Sequence, residues 1–500
     1  MSNLLCLSRR FFCATCRARV EKPVCSLSVF TLRNQLLRRH LWTRRWSDTA
    51  ADRKTRSVLL ILGVGTGFLL SLGLKNHWSA YELCECKVEK TDRVQTSQIS
   101  KYTSAIETSR DLLKRIKNRV PCDPNTVMRI ASISKSLTAA AVARLWEDGK
   151  IDLDAPVQKY VPEFPEKQFE GENVIITPRM LLSHLSGIRH YEKDAKKVRH
   201  VKEKAKCLLK TSAREEQREN KAEKEAHSSG KEVKGGQRKK EFEQEEYYIK
   251  DNFESVIQAL DLFKDDPLIF KPGSVFLYST HAFTLLSAVV ERAANQGFLV
   301  HMMAMFRELG MMNTVPDENE PIIYNRSRFY HFSKKGRVVN CPYVDNSYKW
   351  AGGGFLSTVG DLLIFGNALL YSYQVENTPG QLPGFLKHLS AKAMWSPVDR
   401  TEAAWDRDGR YAQGWVVVEK QQNFGQCRQR RHYVSHTGGA VGASSVLLVL
   451  PREEELRPLH PPHGVVVSII TNMQSVGLNT TALKIAHEFD KATPEKAPAA

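Results

Sequence analysis

The sequence predicts an α+β fold in which helices flank an antiparallel sheet. Apolar residues recur at helical spacing from about residue 101 to about 410, whereas strand-like runs gather later, at Trp415–Val418, Ser444–Leu450 and Val465–Thr471. Helices and strands therefore do not alternate, as a doubly wound parallel sheet would require. No internal repeat is visible.

The first hundred residues stand apart. Of a formal net charge of +18, residues 1–56 contribute +10, with 13 Lys/Arg against 3 Asp/Glu. An Arg- and Ser-rich, acid-poor leader has the composition of a mitochondrial targeting segment. The basic balance is therefore no nucleic-acid signal, and no zinc finger, phosphate loop or basic-aromatic array stands out. Ser57–Leu74 is an uncharged run between Arg56 and Lys75. At 1.5 Å per residue it spans about 27 Å, enough for a thin bilayer. Such a segment after a basic leader predicts an inner-membrane anchor, with the catalytic part in the intermembrane space. The alternative, a secretory signal anchor, calls for a shorter leader with fewer arginines. Residues 75–100 read as a polar linker. Cys13-x-x-Cys16 has no second pair, so neither a metal site nor a disulfide scaffold is expected.

Residues 101–492 hold the predicted hydrolase domain, and 493–500 a tail. Ser104–Val120 reads as an amphipathic helix broken by Pro121-Cys122-Asp123-Pro124. A second helix covers Met128 to Trp146. Thr177-Pro178 marks a helix start and Gly187 its stop. Between 191 and 250 the composition turns to Lys, Glu, Arg and Gln, which predicts a solvated insertion. Helices follow at His281–Ala294 and Leu299–Leu309. Gly352-Gly353-Gly354 begins a loop, Ser357 or Thr358 caps a helix through Leu370, and a last helix covers Leu478–Phe489.

The chemistry centres on Ser132-Ile133-Ser134-Lys135. A serine hydroxyl needs a neighbouring base, and residues i and i+3 of a helix share a face, so Lys135 can reach Ser132. Burial of that helix would depress the lysine pKa and free it as a base. Downstream lie Leu181-Leu182-Ser183-His184-Leu185-Ser186-Gly187, Tyr278-Ser279-Thr280 on a turn before a helix, and His436-Thr437-Gly438-Gly439 before a strand. Singly, each has a plain structural explanation: a half-buried tyrosine, the start of a strand, and in His184 a core histidine. Their order in the chain carries the assignment.

In that order, Ser-x-x-Lys, Tyr and His-Thr-Gly, the chain resembles the serine β-lactamase and penicillin-binding-protein family, in its class C-like branch. Met128–Leu137, Ser186–Tyr191, Tyr343–Phe365 and His432–Pro451 are further similar to the animal mitochondrial branch. The resemblance implies a β-lactamase/transpeptidase-like sheet with a helical subdomain, no cofactor, and a peptide or small acyl substrate. It also implies a serine hydrolase of the intermembrane space that assembles into filaments, possible roles in lipid metabolism included. Ser132 would be the acylated nucleophile, Lys135 would help to deprotonate it, and Tyr278 would act as a phenolate-type base and later as an acid. His436, where many relatives have lysine, would orient Tyr278 or a substrate carboxylate. The N–H groups of Ser132 and Gly439 would form the oxyanion hole, with Thr437 and Gly438 beside the substrate. The alternatives are a non-catalytic filament-forming scaffold and an esterase.

Two departures matter. Thr280 stands where the family has asparagine, so it offers a hydroxyl where a carboxamide would both donate and accept. Second, relatives place two strands before the Ser-x-x-Lys helix, and the eleven residues Pro121–Ala131 are too few for such a hairpin. The sheet is thus expected to lack its first two strands. Val465–Thr471 would then have an open apolar edge, prone to association, in a chain of impaired activity.

Overall fold

The computed structural model describes residues 6–8, 102–114, 122–203, 245–376, 382–403, 406, 409–422, 429–452 and 463–492. The apolar run Ser57–Leu74 and the linker 75–100 lie outside the described residues, as does the leader apart from 6–8. Among the described residues no helix is long and apolar enough to cross a membrane.

A six-stranded antiparallel sheet runs Cys6–Ser8, Gly464–Thr471, Ala443–Pro451, Tyr433–Ala440, Val416–Val418, Arg410–Tyr411. Its inner strands are apolar on both faces, because each face is covered by a helical layer. Leu447, Val449 and Val466 join the main core, whereas Val446, Leu448, Leu450 and Val467 pack with Ala482, Ile485 and Ala486 of the final helix Asn479–Lys491. This period-two split between two cores is what a central strand in a three-layer fold needs. On the main-core side lies the helix Val359–Gln374, capped by Thr358 with Asp361 in its first turn, as predicted. A Cβ on its Gly366 would sit 2.6 Å from Val466 Cγ1, so the close approach of helix and sheet requires glycine there.

The helical subdomain is built on Ile133–Glu147, buried around most of its circumference and packed on Thr280–Ala294 and on the short helix Trp350–Gly353. Two local expectations are corrected. Met128–Arg129 is not helical but a short strand paired with Leu356–Ser357, and the helix begins at Ile133. Gly352–Gly354 is not a loop: tertiary packing closes Trp350–Gly353 into a helical turn ahead of the strand Phe355–Ser357. The amphipathic first helix covers Thr103–Lys114, and the rest of its predicted length lies outside the described residues.

The charged stretch 191–250 is not solvated at its ends. Residues 195–203 are helical, with Arg199 Nε donating to Ile269 O and Lys202 Nζ to Phe276 O. At the other end, buried Glu246 meets buried Arg189 through two contacts of 2.6 and 2.9 Å and His281 Nε2 at 3.0 Å. Burial works to raise the Glu246 pKa, but hydrogen bonds and charge from His281 and Arg189 outweigh it and hold it at about 2. Glu246→Ala would leave Arg189 buried beside Asp266 alone, a loss of about 3–5 kcal/mol on the scale of broken buried pairs. Urea unfolding measures this directly, and an unchanged midpoint would contradict it.

Among the described residues before the Ser-x-x-Lys helix, the chain makes a turn at Cys122–Thr126 and a parallel bridge, Val127 to Arg326, and then enters the short strand Met128–Arg129. The edge of Gly464–Thr471 is not wholly open, because Cys6–Ser8 pairs with Val466–Ser468. That pairing spans three of the strand's eight residues.

Candidate active site

Ser132 stands at the N-terminus of Ile133–Glu147, where the helix dipole favours negative charge. The residue before it, Ala131, has φ 49°, a left-handed conformation uncommon for a residue with a Cβ. The surroundings hold it. Ile130 N–H donates to Phe355 O, Ser445 Oγ donates to Ile130 O, and Ser134 N–H to Ala131 O. The sheet comes close here: a Cβ on Gly438 would lie 2.4 Å from Ile130 O and 3.0 Å from Ala131 Cβ. Gly438 is thus the residue that lets the histidine strand Tyr433–Ala440 run beside the nucleophile, with Gly439 lining the cleft.

Lys135 lies one turn on, fully buried, with Nζ 3.3 Å from Ser132 Oγ and 3.5 Å from Thr280 Oγ1. It also donates to Gly352 O. Burial holds its pKa well below the usual lysine value, helped by the positive charge of Lys349. A lysine that holds its proton less tightly is better placed to accept one from a hydroxyl. Tyr278 reaches the same oxygen from the other side, its phenol donating to Ser132 Oγ at 2.8 Å. Burial pushes that phenol up, against a smaller opposing effect from Ser132. Burial thus favours the neutral, donating phenol over the expected phenolate.

His436 lies within the histidine strand, with Nε2 2.9 Å from Tyr411 Oη and Nδ1 2.8 Å from Thr437 O. Tyr411 in turn stands near Tyr278, their ring centroids 6.3 Å apart. Thr437 opens on a neighbouring cavity that it shares with Gly438 and Gly439. Burial brings the His436 pKa down to about 3, with Lys135 adding to the effect. Between pH 3 and 6.5 the unfolded chain then binds a proton that the folded chain does not, so stability rises with pH by about 1.4 kcal/mol per unit for this histidine. His436→Gln is expected to flatten the urea midpoint against pH from 4 to 6.5; identical slopes would contradict this.

The cleft, about 500 Å³ of open space, is completed by residues that the motifs did not single out, among them Arg129, Tyr247, Asn346 and Lys349. Arg129 Nε is paired with Asp317 Oδ2 at 2.6 Å. Lys349 Nζ lies over the rings of Tyr348 and Tyr247 at 4.9 and 5.0 Å, and burial together with Arg129 lowers its pKa to about 7. A lysine-tryptophan pair before three glycines was the only hint of it in the sequence.

A family model described as Beta-lactamase matches residues 112–486. The chain belongs to the beta-lactamase family. It is 55% identical over 440 residues to the Homo sapiens serine beta-lactamase-like protein LACTB, mitochondrial, covering 78% of this chain and 80% of the relative. The Mus musculus protein of the same name is 54% identical over 446 residues, covering 78% and 81%. These relatives are named mitochondrial. Among solved structures, EstCE1, a hydrolase with promiscuous acyltransferase activity, superposes with a TM-score of 0.51 at 19% identity over 74% of this chain and 86% of that one. That likeness shows the fold.

Proposed function

We propose that the chain is a serine peptidase or amidase that works through an acyl-enzyme on Ser132. The observation that carries this reading is the Ser132 hydroxyl held between a buried amine of lowered pKa, Lys135, and a phenol donor, Tyr278. Lys135 takes the Ser132 proton as Oγ attacks the acyl carbon, and the oxyanion that forms meets the helix N-terminus and the Gly439 N–H. Tyr278 gives its proton to the leaving amine and regains one from Lys135. Water then attacks the ester, and the same groups return the serine.

The mitochondrial names of the relatives, the basic leader and the apolar run together support a place on the intermembrane-space side of the inner membrane. Assembly of copies into filaments belongs to the same reading, supported by the sequence resemblance. An esterase is the second reading, favoured by Thr280, which offers no carboxamide to an amide side chain. Turnover of matched peptide amides and esters by the parent and by Ser132→Ala tests both. Amide turnover lost in the variant upholds the first reading, ester turnover alone upholds the second, and turnover that survives in the variant contradicts both.

A further inference from the structure

His184 shows a feature that its position in a helix-ending turn does not explain. It is fully buried, and its φ is 58°. Its carbonyl accepts from Leu277 N–H at 2.9 Å, and its Nδ1 accepts from Ser279 N–H at 3.2 Å. The backbone and the ring of His184 therefore hold the two residues that flank Tyr278, the carbonyl Leu277 and the imidazole Ser279. Its centroid lies 4.3 Å from that of Tyr278 and 4.7 Å from that of Tyr411, at tilts of 43° and 58°. Because Nδ1 is an acceptor, a neutral ring must carry its proton on Nε2. Nε2 is buried with no hydrogen-bond partner. A buried N–H without an acceptor oxygen is costly unless it meets an aromatic face, whose quadrupole is negative.

We propose that His184 is a positioning residue for Tyr278, fixing the phenol against Ser132 and turning an N–H dipole toward the rings on which negative charge develops as the phenol gives up its proton. The idea rests on the acyl-enzyme reading above, since only there does Tyr278 release a proton. Burial, the largest influence, holds the imidazole pKa well below its usual value and so favours the neutral ring. Arg189 O and His190 Nδ1 complete the seat, accepting from Ser279 Oγ at 2.6 Å and Thr280 N–H at 3.3 Å.

The test is a double-mutant cycle on the full chain, with the maximal rate and half-saturating concentration of peptide-amide turnover as readouts and fluorophosphonate labelling of Ser132 as the check on the parent. His184→Asn is the variant of choice, because asparagine tolerates the positive φ and keeps an acceptor for Ser279 N–H. It is expected to lower the maximal rate about tenfold with the half-saturating concentration unchanged, and by less than twofold when Tyr278 is already phenylalanine. A merely structural role would lower both backgrounds equally, and that result, or no loss at all, overturns the proposal while the acyl-enzyme reading stands. If the parent itself is not labelled on Ser132, both fall together. Should His184→Asn fail to fold, ¹⁵N-imidazole spectra of the parent decide. A neutral ring protonated on Nε2 from pH 5 to 9 upholds the proposal, and a proton on Nδ1, or titration in that range, overturns it.

Discussion

Lys135→Met slows acylation of Ser132 by about a thousandfold, within the range for removal of a general base, and leaves the protein folded. The rate falls because Lys135 is, among the described residues, the basic side chain within hydrogen-bonding reach of Ser132 Oγ, whereas Tyr278 donates to that oxygen and its pKa is raised. The fold survives because two effects on stability oppose each other. The folded-state pKa of Lys135 is depressed, so below the pKa of a free lysine the unfolded chain binds a proton that the folded chain resists, and the lysine is destabilising at neutral pH. Methionine removes that burden with a side chain of similar length. Against this, the carbonyl of Gly352 loses its donor, a loss of about 1–3 kcal/mol. Unfolding free energy is therefore expected within about 2 kcal/mol of the parent. Burst kinetics with an activated ester and a urea titration on one preparation check both parts. A variant that acylates at the parent rate would remove Lys135 from the mechanism.

Tyr278→Phe separates amides from esters. The ring remains against His184, so the fold and the binding of the acyl group change little. What is lost is the proton donor. An amine cannot leave without a proton, whereas p-nitrophenolate can, so the variant loses about 10²–10⁴ in rate on an amide and much less on a p-nitrophenyl ester of the same acid. Equal losses on both substrates would mean that Tyr278 acts on the serine and not on the leaving group.

How far the sequence disclosed this arrangement depends on what each residue interacts with. Ser132 and Lys135 were legible because their relation is local: three residues apart at the start of an apolar helix, they must meet. Tyr278 and His436 were legible as members of an ordered set of motifs, yet their partners were not. His436 is hydrogen-bonded to Tyr411, which enters from the sheet's far edge with no motif around it. Tertiary burial, absent from any local pattern, raises the Tyr278 pKa. Glu246 lay inside a stretch whose composition is that of a solvated loop, and its role came from Arg189, 57 residues away. His184 was recognised as a core histidine, correctly as to burial, but its grip on both sides of Tyr278 exists only once the two segments meet. The strand that pairs with Val466–Ser468, Cys6–Ser8, came from a leader with no strand signal.

The most direct measurement is peptide mapping of the full chain after reaction with a fluorophosphonate. The arrangement around Ser132 predicts one stable adduct, on the Ser132 peptide, absent from Ser132→Ala and formed far more slowly by Lys135→Met. An adduct on another serine, or an unmodified Ser132 in folded protein, would contradict it.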